Sequence, residues 1–389
     1  MKGLESAIKS EALRLGFHLV GITTPDPPAH FDVYRDWLQK GRHGSMGYLE
    51  TERALLRRAN PRAVLPECES IIILGTQHNP PKESLKNSRG DPGYQISEGG
   101  ISLCGRVAAY AWGMDYHDVL LKRMASLVQF IESRVGYQVA NRYYTDTGPI
   151  LERELAQRAG LGWIAKNTCL INPESGSYFL LSEILLGLEL EPDRPFYEDR
   201  CGSCQRCIEA CPTGCILPDR TIDSRRCISY LTIELKGFIP VELRQDIGNW
   251  VFGCDICQQV CPWNLRFAEP VTDSEFAPEE GMPDPDLLVE MQTNTNTFTK
   301  RFKGSPLKRA KRGGYLRNVA VALGNSTSES AVPGLAQALL SDPEPLVRAH
   351  AAWALGNIGA KSAKDALAEA REIEKDTEVI VEINKALEL

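Results

Sequence analysis

Cys201-Gly202-Ser203-Cys204-Gln205-Arg206-Cys207-Ile208-Glu209-Ala210-Cys211-Pro212 and, further on, Cys254-Asp255-Ile256-Cys257-Gln258-Gln259-Val260-Cys261-Pro262 carry seven of the twelve cysteines. The first run has the spacing in which three close thiolates grip one 4Fe-4S cube while the fourth reaches a second cube. In the second run Val251 stands where the first cysteine would be, so that cube needs a ligand from outside, and Cys227 supplies it. The expected ligand sets are Cys201, Cys204, Cys207 and Cys261 for one cluster, and Cys211, Cys227, Cys254 and Cys257 for the other. Zinc also takes paired Cys-x-x-Cys, but a third cysteine at that spacing and a closing Cys-Pro do not follow from tetrahedral coordination. Disulfides suit an exported chain, whereas Glu5, Lys9 and Glu11 interrupt any apolar signal core at the start. These runs imply an electron-transfer protein of a reducing compartment, the cytoplasm.

With 389 residues, 43% of them hydrophobic, the chain is long enough for two or three domains. A formal net charge of -7 excludes a surface that is basic throughout. No apolar run approaches the roughly 20 residues that span a bilayer.

Leu4, Ile8, Ala12 and Leu15 share one helical face, and Gly16 releases the chain into a strand from Phe17 to Ile22. Ser70 to Gly75 is apolar on both faces, as in a buried inner strand. A long helix is expected from about Cys104 to Arg134, with Leu120, Met124, Leu127, Val128 and Ile131 as its core stripe. A strand from Tyr137 to Tyr144 follows, then the turn Thr145-Asp146-Thr147-Gly148-Pro149 and a helix bearing Ile150, Leu151, Leu155 and Ala159. Residues 168–190 read as a hairpin around Asn172-Pro173-Glu174-Ser175-Gly176. The domain reading is therefore an α/β part at 1–195, a ferredoxin-like double-cluster part at 196–267, an acidic and proline-bearing connector at 268–298, and a helical end at 299–389. In that end, Arg317 to Asn325 and Arg348 to Asn357 are similar segments, the signature of HEAT-like repeats.

Lys300, Arg301, Lys303, Lys308, Arg309, Lys311, Arg312 and Arg317 follow one another without an intervening acid. Such a segment suits phosphate contacts with RNA, each adding salt-sensitive affinity without sequence information, and it equally suits a solvated face. Asp146 reads as a turn or capping residue, and its place would also suit a proton donor under a bulky cofactor. Asp115-Tyr116-His117 begins like a motif that gives cobalt a histidine, but Leu120 replaces the required glycine, so His117 reads as structural. Cys68, Cys104, Cys169 and Cys215 remain as small buried residues. No phosphate-binding loop is present.

Taken together, Leu56-Arg57-Arg58-Ala59-Asn60-Pro61, Cys104-Gly105-Arg106, Trp112 to Asp118, the Asp146 turn, Gly160-Leu161-Gly162-Trp163-Ile164-Ala165-Lys166-Asn167, both cysteine runs, Arg226 to Thr232 and the terminal repeats resemble the epoxyqueuosine reductase family. The resemblance implies a cobalamin enzyme whose corrin lies between the α/β part and two 4Fe-4S clusters. An external low-potential donor would feed electrons to cobalt, completing queuosine at the wobble base of tRNA. It implies Asp146 as the proton donor, and Arg58, Cys104, Lys166, Asn167, Leu170, Leu181, Ser229, Cys254 and Asp255 as neighbours of the corrin. It also implies a grip on tRNA through the basic segment and the repeats; the chain is expected to be a monomer. A reductive dehalogenase and a non-catalytic ferredoxin-like carrier are the alternative readings; the first is disfavoured by the missing export signal, the second by the large amino-terminal part.

Overall fold

The computed structural model of the chain describes residues 3–80, 95–97, 100–270 and 273–388, with backbone alone at 95–97 and 100–102. The chain forms two compact units: Met1–Ser88, Gly113–Asp223 and Ile256–Ala277 make the first, and Arg89–Trp112, Ser224–Asp255 and Pro278–Leu389 the second. The cysteine-bearing stretch expected as one part at 196–267 is shared between them.

The first unit is built on a four-stranded sheet in the order Leu19–Thr23, Ser70–Gln77, Phe179–Leu186, Asn141–Tyr144, antiparallel at every pairing. Ser70–Gln77 takes an inner position and buries all but its last residue, which is what an apolar run with no polar face requires. On one side of the sheet Ile71, Ile73 and Leu185 pack with Ile150, Leu155, Ala159 and Leu170. Elsewhere the helix Leu4–Arg14 packs on the helix Tyr116–Val135, and both touch strands of the sheet. Leu120, Met124, Leu127, Val128 and Ile131 of that long helix are buried, and each such side chain stabilises the unit by about 1.5–3 kcal/mol.

Three sequence expectations are corrected. The long helix begins at Tyr116 rather than near Cys104, because Asp115 caps it by accepting from the His117 amide; residues 106–111 form a short strand and a 3-10 turn instead. The strand expected from Tyr137 runs only over Asn141–Tyr144, after Gly136 ends the helix in the left-handed region. The hairpin at 168–190 is reduced to a single Asn172–Gly176 bridge. Its arms part: Leu170–Ile171 pairs with Trp163–Ile164, while Phe179–Leu186 joins the main sheet. A strand buried along most of its length gains more from an inner place in the sheet than from a two-stranded ribbon.

In the second unit Trp250–Phe252 pairs in parallel with Arg106–Val107. The helices Lys311–Ser326, Val332–Ser341, Pro345–Ile358, Lys361–Ile373 and Thr377–Glu388 stack in sequence, as HEAT-like repeats do. The part of the connector that lies here is packed: Leu287 is fully buried, Asp286 caps the helix Leu287–Met291, and backbone bonds tie Leu287 to Leu103 and Gly105 to Pro285. Residues 271–272 of the connector lie outside the described residues.

Candidate functional site

In the first unit Cys201, Cys204, Cys207 and Cys261 line one cavity, so the expected first ligand set is brought together although Cys261 is 54 positions from Cys207. Trp163 Nε1 lies 3.5 Å from Cys201 Sγ and donates to it, and Trp263 packs edge-on against the Trp163 ring. Burial pushes the Cys261 thiol up to about 11, so a thiolate here calls for a cation beside it. Lys166 Nζ donates to the carbonyls of Gly202 and Cys204 at 2.7 and 2.9 Å. Asn167 Nδ2 donates to the Cys257 carbonyl at 3.5 Å. Both residues, expected beside a corrin, thus hold the backbone of the cysteine loops.

Cys211 and Cys257 belong to this unit as well. Cys211 Sγ lies 3.4 Å from Cys215 Sγ and 3.6 Å from Thr213 Oγ1, and the Cys215 contact, against burial, draws it down to about 5. Cys227 and Cys254 belong to the second unit. Cys227 precedes the helix Ile228–Ile233, on which Ser229 lies, and Cys254 follows the strand Trp250–Phe252. Asp255 is buried and accepts from the Ala109 amide at 2.7 Å; burial, outweighing that bond, pushes its carboxyl up to about 7. The carbonyl of Cys104 accepts from Asn249 Nδ2 at 2.9 Å.

Asp146 sits at φ 59, in the left-handed region that asparagine and aspartate tolerate best. It caps no helix, since the following helix Glu152–Arg158 has Leu151 at its cap. Thr145 Oγ1 donates to the Leu181 carbonyl at 2.8 Å and so pins the turn to the strand end, close to Leu181 of the expected set. The Asp146 side chain is 70% exposed, and Tyr116 Oη donates to its Oδ2 at 3.1 Å. His117 Nε2 is 4.0 Å from the same oxygen, while Nδ1 is 2.7 Å from Asp115 Oδ1. Burial lowers the His117 imidazole, but the Asp115 bond and charge, with Asp146 and Asp118 behind them, outweigh it and leave the pKa raised. Reading His117 as structural missed this pairing; the signal was the capping Asp115, which places Tyr116 and His117 on the first helical turn. Arg58 lies over the Tyr34 ring, 5.6 Å from its centroid.

The basic segment divides by ion pairing and burial. Lys300, Lys303, Lys308 and Lys311 are exposed. Arg301 pairs with Glu290, Arg309 is bidentate to Glu234, and Arg312 meets Asp342 and Glu344. Arg317 is a correction: it is 0% exposed and donates to the carbonyls of Leu231, Leu235 and Gly237, out of reach of any phosphate.

Residues 58–147 match the family described as "Epoxyqueuosine reductase QueG, DUF1730", residues 200–264 match the 4Fe-4S double cluster binding domain, and residues 312–388 match HEAT repeats. The chain is 38% identical over 356 residues to the epoxyqueuosine reductase of Pseudomonas aeruginosa, covering 92% of this chain and 95% of that one. It is 37% identical over 352 residues to that of Escherichia coli, with 90% and 89% covered. A solved epoxyqueuosine reductase in complex with an epoxyqueuosine-modified tRNA-Tyr stem loop superposes with a TM-score of 0.86 at 32% identity, over 99% of this chain and 98% of that one. The structure of the Bacillus subtilis enzyme, with its aspartate catalytic loop swung out of the active site, gives 0.84 at 32% identity over the same shares. With relatives this similar along nearly its whole length, the chain belongs to the epoxyqueuosine reductase family.

Proposed function

We propose that the protein reduces epoxyqueuosine to queuosine at the wobble position of tRNA, with two 4Fe-4S clusters and cobalamin as its cofactors. The observation that carries this reading is the Asp146 carboxylate: exposed, left-handed and held by Tyr116 rather than spent on a helix cap, in a chain similar over nine-tenths of its length to enzymes of that name. Converting the epoxide to an alkene takes two electrons and two protons and releases the oxygen as water. Asp146 supplies one proton to the departing oxygen, and the Tyr116 hydroxyl orients the carboxyl for that transfer.

The cavity of Cys201, Cys204, Cys207 and Cys261 fits a 4Fe-4S cube in number and kind of ligand. Cys211, Cys227, Cys254 and Cys257 would hold the second. For cobalamin the fit rests on the Asp146 turn, where an exposed carboxyl adjoins the Leu181 strand end and where His117 has one nitrogen bound to Asp115. Asp146, Leu170, Leu181, Cys104, Ser229, Cys254 and Asp255 are the residues that would surround the corrin. When bound, cobalamin supplies reduced cobalt as the electron source for the substrate carbon, and 4Fe-4S clusters reach the low potentials this needs, down to about -700 mV.

Protein reconstituted anaerobically with iron, sulfide and cobalamin, and given a strong reductant, converts epoxyqueuosine in tRNA to queuosine, as nucleoside mass spectrometry will record. Persistence of the epoxide, or zinc in place of iron on metal analysis, rejects the assignment. Of the basic residues, the four exposed lysines are the expected phosphate contacts. Replacing Lys300, Lys303, Lys308 and Lys311 together by Glu weakens tRNA binding and flattens the plot of log affinity against log salt by about 0.7–0.9 per lost contact. A salt slope equal to that of the wild type puts the contacts elsewhere.

A further inference from the structure

Beside the cavity of Cys201, Cys204, Cys207 and Cys261, the indole N–H of Trp163 is a polar hydrogen that cluster ligation by itself does not require. The ring is 1% exposed, and Nε1 donates to Cys201 Sγ at 3.5 Å. An indole nitrogen only donates, so the direction of this bond is fixed. Two further rings hold Trp163 in place: Phe196 stacks on it with centroids 5.7 Å apart at 26°, and Trp263 meets it edge-on at 5.0 Å and 74°. Trp263 follows Cys261-Pro262 and stacks in turn on Phe267. The backbone is held as firmly. Trp163–Ile164 pairs with Leu170–Ile171, Asn172 Nδ2 donates to the Leu161 carbonyl at 2.8 Å, and Gly162 lies so close to the Ile171 carbonyl that a Cβ there would strike it. Trp163, Ala165, Ile171 and Cys261, with Phe196, Cys201 and Trp263 packed against them, form one apolar cluster.

A buried indole N–H needs a partner, and here the partner is sulfur. A neutral thiol accepts weakly. A thiolate bound to iron carries charge, and a hydrogen bond to a charged acceptor is roughly twice as strong as a neutral one. The Trp163 bond therefore strengthens when a cube is held by Cys201, and again when that cube takes an electron and its sulfurs become more negative. The apolar wall acts in the opposite sense: where little water can gather, added negative charge is costly and the reduction potential falls.

We propose that Trp163 is a positioning residue for electron entry: acting through Cys201, its N–H raises the reduction potential of the first cluster, so that a cube set against an apolar wall stays reducible by the external donor. The proposal rests on the reading of Cys201 as a ligand of that cluster. The cube gains one electron from the donor and becomes more negative by one charge. The indole proton stays on its nitrogen, and no bond breaks.

The test is a redox titration, followed by electron paramagnetic resonance, of reconstituted wild-type and Trp163→Phe proteins. Phenylalanine keeps an aromatic ring in the wall and removes the donor. One of the two midpoints falls: reduction of that cluster becomes about tenfold less favourable, the scale of a hydrogen bond to a charged group, which for one electron is about 59 mV. The other midpoint and the iron content stay at wild-type values. Midpoints that do not move, a rise, or an equal fall in both overturns the proposal. If the variant loses iron, the wild type decides. Reduced wild-type protein made with tryptophan carrying a labelled indole nitrogen shows, in pulsed resonance spectra, a coupling between that nitrogen and the cluster spin; absence of the coupling overturns the proposal. Cys201→Ala separates this from the underlying reading. A Cys201→Ala protein with the iron content and both cluster signals of the wild type rejects Cys201 as a ligand, whereas loss of one cluster there, with unmoved midpoints in Trp163→Phe, rejects the role of Trp163 alone.

Discussion

Asp146→Asn lowers turnover of epoxyqueuosine in tRNA by about 10²–10⁴-fold, the span that one positioned proton donor contributes, while iron content and melting temperature stay at wild-type values. Asparagine is the informative replacement because Asp146 sits at φ 59, a backbone conformation that Asn adopts with little strain and that Ala resists. The side-chain oxygen that accepts from Tyr116 is also kept. What is removed is the acidic proton and the negative charge beside His117, and the imidazole pKa drops accordingly, since Asp146 is one of the charges that raise it. Nucleoside mass spectrometry under saturating reductant checks the rate. A variant as fast as wild type would return Asp146 to the role of a turn residue.

Arg317→Leu costs about 3–5 kcal/mol of stability, the usual penalty for removing one member of a buried charged network. The guanidinium satisfies the carbonyls of Leu231, Leu235 and Gly237 and also donates to Asn318 Oδ1. Leucine fills the space but leaves three buried acceptors without donors. Burial, with Arg244 behind it, pulls Arg317 down to about 9, so the group remains charged at neutral pH and those carbonyls are what offset its desolvation. Lysine would not rescue it, because a single ammonium cannot fork to acceptors in three directions. Thermal melting checks the expectation: a drop of roughly 10 °C with Leu and a similar one with Lys. A stable Leu variant with reduced tRNA affinity would instead restore Arg317 to the phosphate surface.

The cysteine runs were legible because cluster ligation is local: three thiolates within seven residues leave few other arrangements, and the closing Cys-Pro identified Cys261 as the partner from afar. The inner strand Ser70–Gln77 was legible for a similar reason, its apolar run leaving no face for water. Arg317 was not, because charge composition does not say which member of a basic run turns inward. Its neighbours do say so in retrospect, since Asn318 to Leu323 are all buried and one helical face cannot hold them. Phe302 and Tyr315, which stand among the basic residues in the sequence, are core aromatics, with Tyr315 Oη donating to Glu290. His117 was noticed but judged against a cobalt-ligand motif instead of against the turn it faces.

The anchoring of the first repeat helix bears on how such a chain could change over generations. Asn318 bonds the carbonyls of Thr232 and Val251, and Thr232 in turn receives the Gly253 amide next to Cys254. Tailpiece and cysteine-bearing stretch are thus stitched by the same few atoms. A truncated descendant would forfeit the scaffold beneath Thr232 and the Gly253 amide next to Cys254, so the repeats cannot be shed as a detachable accessory.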